Sequence, residues 1–135
     1  MELKPVGLFT GMSQGELKKI AREMREIRHP KGTEIMVRGA DGVGFMVLLE
    51  GEAEVKTLDG RRRTLGPGDH FGEMSLLDHE GRSATVHAKT DIIAAAVTEW
   101  GFKPFLSAHP EVTYRLLETL SRHLREAEAA KAKSS

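Results

Sequence analysis

The chain has no cysteine among its 135 residues. That excludes disulfide staples and thiolate chemistry and fits a reducing compartment. It also lacks a charge of one sign: 20 Lys and Arg balance 20 Asp and Glu, for a formal net charge of zero. No global field therefore favours nucleic acid or an anionic membrane. Long apolar runs are missing as well. The longest, residues 92–97, is far too short to span a bilayer. The opening residues, MELKPVGLFTG, carry no apolar core of signal-peptide length. The expected location is the cytoplasm, with no membrane span and no direct nucleic-acid contact. What remains is an ordinary balance of 39% hydrophobic and 30% charged residues. The length suits one domain with a real core and is too short for two.

The most informative stretch is residues 71–86, FGEMSLLDHEGRSATV. Gly72 allows close backbone approach to a ligand. A helical turn opening near Met74 and Ser75 would aim free N–H groups at an anion. Arg82 can form a bidentate, charge-assisted pair with phosphate oxygens. Glu73 only accepts hydrogen bonds, so it suits a sugar hydroxyl and not the phosphate. Together these residues predict a pocket for a small phosphorylated sugar.

The rest of the chain divides into three parts. Residues 1–12 form a lead-in whose Leu8 and Phe9 dock on the domain. Ser13 with Glu16 forms a capping box, and Leu17, Ile20, Ala21 and Met24 line one face of a helix over residues 13–26. Residues 33–98 read as strands: 33–37, 43–49, 52–58, 61–65, 83–88 and 91–98, punctuated by a hairpin at Asp59-Gly60 and a turn at residues 66–69. Short strands with frequent turns predict a sandwich or barrel. Residues 99–129 turn helical, with a short helix kinked or broken at Pro104 and a long one from Pro110. Thr113, Leu117, Leu120, Leu124 and Ala127 step along the long helix in a heptad-like pattern, which predicts a homodimer through residues 110–129. Leu116 and Leu120 can instead face the strands. Residues 130–135 are a small, polar tail expected to fray.

The 71–86 stretch resembles the phosphate-binding cassette of the cyclic-nucleotide-binding domain family. That family includes the catabolite activator protein, protein kinase A regulatory subunits and cyclic-nucleotide-gated channels. Its pattern is F-G-E, a short apolar segment, a variable loop, then R-[S/T/A]-A-T-V, which stands here as Phe71, Gly72, Glu73 and Arg82, Ser83, Ala84, Thr85, Val86. A looser likeness runs from about Leu8 to Leu124.

The resemblance implies a single α+β, mainly β domain over residues 1–135. Its core would be an eight-stranded β-roll of jelly-roll type, with an N-terminal helix and two C-terminal helices, the last one long. It implies that Arg82 and the amides of Gly72, Met74 and Ser75 hold the phosphate, and that Glu73 takes the ribose 2′-hydroxyl. Ser83 would lie beside the phosphate, next to Ala84 and Thr85. Members selective for cyclic GMP can carry threonine where Ser83 stands, while several cyclic AMP responders carry serine. Cyclic AMP is thus the expected ligand and cyclic GMP the alternative. In the family the last helix closes over the base, which makes Arg122 and His123 lid candidates. Where the catabolite activator uses hydroxyl residues against adenine, this chain has Ala127 and Glu128.

The expected function is a regulatory sensor that signals by moving its C-terminal helix. In that scheme the ligand draws in the cassette turn, and Leu76 and Leu77 repack. No nucleophile, base and orienter stand out beside the pocket, so neither enzyme activity nor a cofactor is expected. Cupins share a similar roll, but no His-x-His with a downstream acid appears, and no metal is expected. Arg61, Arg62 and Arg63 read as a solvated hairpin tip. For output, two readings stay open: a stand-alone sensor with a protein partner, or a regulatory module excised from a larger channel, transcription factor or enzyme. A third is an interaction scaffold that binds no nucleotide.

Overall fold

The structure is a computed structural model and describes residues 1–36, 44–57, 60–73 and 84–134. Among these residues, two four-stranded antiparallel sheets lie at the centre, flanked by three α-helices. The strands are β1 (Arg25–His29), β2 (Glu34–Met36), β3 (Gly44–Glu50), β4 (Ala53–Thr57), β5 (Arg62–Leu65), β6 (His70–Phe71), β7 (Ala84–Ala88) and β8 (Ile92–Thr98). One sheet runs β1-β8-β3-β6 and the other β2-β7-β4-β5. This is the expected β-roll. The helices are α1 (Gln14–Ala21), α2 (Glu99–Ala108) and α3 (Pro110–Ser134), with a 3₁₀ turn at Gly7–Phe9.

The first sheet is covered on both faces. Phe45, Val47, Ala95 and Val97 point to the helices and the N-terminal segment. Met46, Leu48 and Ile92 point to the second sheet, where they meet Ala53, Val55, Leu65 and Val86, with Phe71 of the first sheet in the same cluster. That is why β3 reads as a continuous apolar run, while β4 alternates. Phe45 packs on Phe102 of α2 at a centroid distance of 5.1 Å and thereby ties helix to sheet.

Several boundaries differ from the sequence expectation. The first helix stops at Ala21, and Glu26 lies in β1. Ile27 and His29 are half-buried while Glu26 and Arg28 are exposed, a strand alternation. Pairing of Arg25–His29 with β8, from Arg25 opposite Ala96 to His29 opposite Ile92, overrides the helical spacing that Met24 extends. The β region therefore begins at Arg25, ahead of residue 33. The capping box is present, with the Glu16 amide donating to Ser13 Oγ at 3.2 Å. The lead-in is more than a docked tip, since Leu3 and Met12 are buried along with Leu8 and Phe9. It is held at the 66–69 turn, where Leu8 N–H donates to the Gly68 carbonyl at 3.1 Å. A Cβ on Gly7 would lie 2.3 Å from that carbonyl oxygen, so the approach requires glycine on steric grounds.

At the other end, α2 is unbroken through Pro104, and Thr98 caps it by accepting from the Gly101 amide at 3.1 Å. The long helix continues to Ser134, beyond the expected end at residue 129. Val112 and Leu116 bury against the roll and Leu120 packs beside them, whereas Leu117 and Leu124 are 58% and 61% exposed. His109, at the α2–α3 junction, pairs with Glu23. Glu111 of α3 meets Glu16 of α1 by a carboxyl–carboxyl hydrogen bond that holds Glu16 below, and pushes Glu111 above, the ordinary carboxylate value. The His109–Glu23 pair, with buried Val112 and Leu116, seats the base of α3. The expected hairpin residue Asp59 lies outside the described residues, but β4 and β5 pair as that hairpin requires, with Val55 opposite Arg63.

Candidate functional site

The site begins at β6, a two-residue strand with no signal in the sequence. Phe71 pairs with Met46 and His70 with Val47 of β3. Both β6 side chains are buried. Gly72 follows with φ +98°, a conformation that L side chains rarely adopt, and it turns the chain so that Glu73 points inward. Glu73 is 6% exposed. One of its oxygens, Oε2, has no hydrogen-bond partner among the described residues, although His70 Nδ1 lies 3.3 Å away. The two atoms are close enough to attract but misaligned for a hydrogen bond.

Glu73 and Gly72 line a cavity of about 660 Å³, within the usual size of small-molecule sites. Its second wall is the other sheet, through Val55, Thr57, Ala84 and Val86, with the three arginines of the β4–β5 hairpin at the rim. Its third wall is α3, which contributes Leu120, His123, Leu124, Glu126 and Ala127. A carboxylate, a ring of cations and an apolar flank thus converge on one space. That combination can accept a hydroxyl, hold an anion and cover an apolar ring. His123 has its pKa lowered, first by burial and then by the positive charges of Arg63 and His70, against the opposing pull of Glu126 and Glu73.

The predicted site residues fall into three groups. Gly72, Glu73, Ala84 and His123 line the cavity together. Thr85 sits on β7 opposite Lys56 and is not part of the lining. Met74, Ser75, Arg82 and Ser83 lie outside the described residues, as do Leu76 and Leu77. Arg122, the other lid candidate, does not line this cavity with His123. It lines a smaller one on the other side of the Arg63–His70–His123 wall. One helical step of about 100° separates it from His123.

Sequence reasoning missed Arg63 and His70. Arg63 had a detectable signal. Its cross-strand partner Val55 is inward-facing, and directly opposed residues share a face. His70 had none, because a two-residue strand leaves no period to read. Arg62 is engaged outside this role, with Nη1 3.1 Å from Glu54 Oε1. Among the described residues, no three His, Cys, Asp or Glu side chains converge as a metal ion would need, and no helix is long and apolar enough to cross a membrane.

A family model described as the cyclic nucleotide-binding domain matches residues 26–109. The chain is 37% identical over 115 residues to the cAMP-dependent protein kinase regulatory subunit of Aspergillus fumigatus, covering 84% of this chain and 28% of that protein. The crystal structure of the Thermus thermophilus catabolite activator protein aligns with a TM-score of 0.80 and 32% identity, covering 93% of this chain and 61% of that one. A structure described as Sp-2Cl-cAMPS bound to PKAR CBD2 aligns with a TM-score of 0.72 and 26% identity, covering 90% of this chain and 83% of that one. The chain spans less than two thirds of the length of the regulatory subunit and the activator.

Proposed function

On the premise that the chain belongs to the cyclic nucleotide-binding domain family, we propose that it is a cyclic-nucleotide receptor, with cyclic AMP preferred over cyclic GMP, that signals through its C-terminal helix. The observation that carries this reading is Glu73. It is a buried carboxylate with one oxygen unpartnered among the described residues, in the wall of a cavity that α3 lines. A buried acceptor left unpaired is costly, and a ligand hydroxyl would satisfy it.

In this reading Glu73 accepts from the ribose 2′-hydroxyl. Arg82 and the amides of Gly72, Met74 and Ser75 hold the cyclic phosphate, with Ser83, Ala84 and Thr85 beside it. The base lies against Val86, Leu120 and Leu124, with His123 as its polar neighbour on α3. Arg122 is left without a lid role. The chain itself performs no catalysis, and the names of its relatives, a regulatory subunit and an activator, support that role. Ligand that prefers the closed arrangement of α3 shifts the population toward it, and the differential affinity for closed over open sets the size of the signal.

A cytoplasmic location fits this role, and the output would pass to a protein partner or to a further domain. A second copy docking along α3 is supported by the exposure of Leu117 and Leu124. Calorimetric titration with cyclic AMP, cyclic GMP and linear AMP, after removal of any co-purified nucleotide, tests the proposal. The expected result is saturable binding of cyclic AMP, weaker binding of cyclic GMP and little of AMP. Binding of none of them would overturn the receptor reading and leave an interaction scaffold.

A further inference from the structure

We propose that the smaller cavity, between α3 and the β5–β6 corner, is a second binding site that takes a phosphate-class oxyanion. It is about 330 Å³ in volume. Arg115, Glu118, Thr119, Arg122 and His123 stand on one side of it, at spacings of three, one, three and one, which is one face of a helix. Arg63 and His70 stand on the other, with the 66–69 turn and Gly7 completing the enclosure.

The charges in this space do not balance internally. Three arginines, Arg63, Arg115 and Arg122, meet only two carboxylates, Asp69 and Glu118. Asp69 is already in use, since its Oδ2 accepts from the Gly66 amide at 2.8 Å. The guanidinium groups of Arg63 and Arg122 form no ion pair or hydrogen bond with any described residue. Arginine presents a planar fork of donors that matches the oxygens of a phosphate. Two of these forks, on facing elements, border one partly open cleft.

A second observation points the same way. His70 lines this cavity as well as the larger one. Its side chain is 4% exposed, and among the described residues neither ring nitrogen has a hydrogen-bond partner. Even a neutral imidazole carries one N–H, so a donor is buried here without an acceptor. Leaving it so is unfavourable, and an anion oxygen in the cavity would satisfy it. The pKa of His123 is lowered first by burial and then by the positive charges of Arg63 and His70, which face the same space.

The volume exceeds that of a single phosphate, so the occupant is a hydrated phosphate or pyrophosphate, or a small phosphorylated molecule. Arg115 and Arg122 line this cavity and not the larger one, whereas Arg63, His70 and His123 stand between the two, so the two arginines of α3 distinguish this site from the nucleotide pocket.

The test is calorimetric titration of the full chain with inorganic phosphate, pyrophosphate and ribose 5-phosphate in a zwitterionic buffer, read together with the backbone amide shifts of Arg115, Thr119 and Arg122. Saturable binding that moves those amides is expected. Arg115→Gln and Arg122→Gln should each weaken it about tenfold or more, and Glu118→Gln should tighten it by removing an opposing carboxylate. Neither arginine belongs to the buried core, and unchanged far-ultraviolet dichroism will verify that the variants fold. Tighter ribose 5-phosphate identifies a phosphorylated metabolite as the source, and tighter phosphate or pyrophosphate the free oxyanion. Absence of saturable binding for all three, or full affinity in the Arg115→Gln/Arg122→Gln double variant, overturns the proposal.

Discussion

His70 Nδ1 lies 3.3 Å from Glu73 Oε2, with both side chains more than nine-tenths buried, and neither atom completes a hydrogen bond with any described residue. The backbone enforces this relationship. His70 is fixed by its pairing with Val47, Gly72 turns at positive φ, and Glu73 is thereby brought back over the strand that carries His70. Phe45 packs against the His70 ring at 5.6 Å and limits its freedom to rotate into better alignment. Polar atoms are thus held apart from one another at the wall of a cavity, and an entering ligand can complete their bonding.

Binding and stability should respond oppositely at Glu73. Glu73→Gln keeps the shape but replaces part of an acceptor with a donor and removes a buried charge. Cyclic-nucleotide affinity should fall about 10- to 100-fold, the worth of a hydrogen bond to a charged group. The melting temperature of the unliganded chain should be unchanged or higher, because an incompletely paired buried charge is lost. Calorimetry and a thermal melt on the same sample check both signs. Unchanged affinity would remove Glu73 from the ligand contacts.

Arg82 is the second determinant of affinity in the proposed site. Arg82→Ala would leave the ligand phosphate without its cation in a partly desolvated pocket, at a cost of about 2–5 kcal/mol. Titration with cyclic AMP measures it directly. Wild-type affinity in this variant would refute the phosphate assignment.

The pH dependence of stability should carry a signature of His123. Its folded pKa lies below the ordinary 6.5, so the folded state disfavours the charged ring. The corresponding stability is fully present above about pH 6.5 and is lost as pH falls through the lowered folded value. His123→Gln removes this titration. Melts at about pH 7.5 and about pH 5.5 should differ less in the variant than in the wild type. An identical difference in both would exclude His123 as a contributor.

A dimer along α3 would use Leu117, which points away from the roll while Leu116 is buried against it. Equilibrium sedimentation should then give a concentration-dependent mass approaching two chains. Leu117→Glu should return it to one, because a buried unpaired charge at the seam is unfavourable. A monomer mass independent of concentration rules the dimer out.

Local patterns in the sequence mark the helices and most of the strands. Ser13 and Glu16 announce the start of α1, and the continuous apolar run at residues 44–48 announces a strand covered on both faces. The end of α1 is hidden. Met24 continues a helical spacing, and only the partner strand β8, about 70 residues away, makes Arg25–His29 extended. Pro104 misleads in the same way, because α2 is held by Phe102 and Phe105 in the core and stays whole.

The site divides along the same line. Glu73 and its glycine are legible because a tight turn beside a buried carboxylate is a contiguous arrangement, encoded in adjacent residues. Arg63, His70 and the assignment of Arg122 and His123 to different cavities are not. Each depends on which face of a strand or helix meets a distant element. By itself the amino-acid sequence determined the family, through the resemblance carried by residues 71–86, and the order of most β and α segments, because these rest on fixed periodicity. Tertiary structure alone decided the walls of the two cavities and the exposure of Leu117, because cross-chain packing sets the rotation of each element about its axis and no local period encodes it.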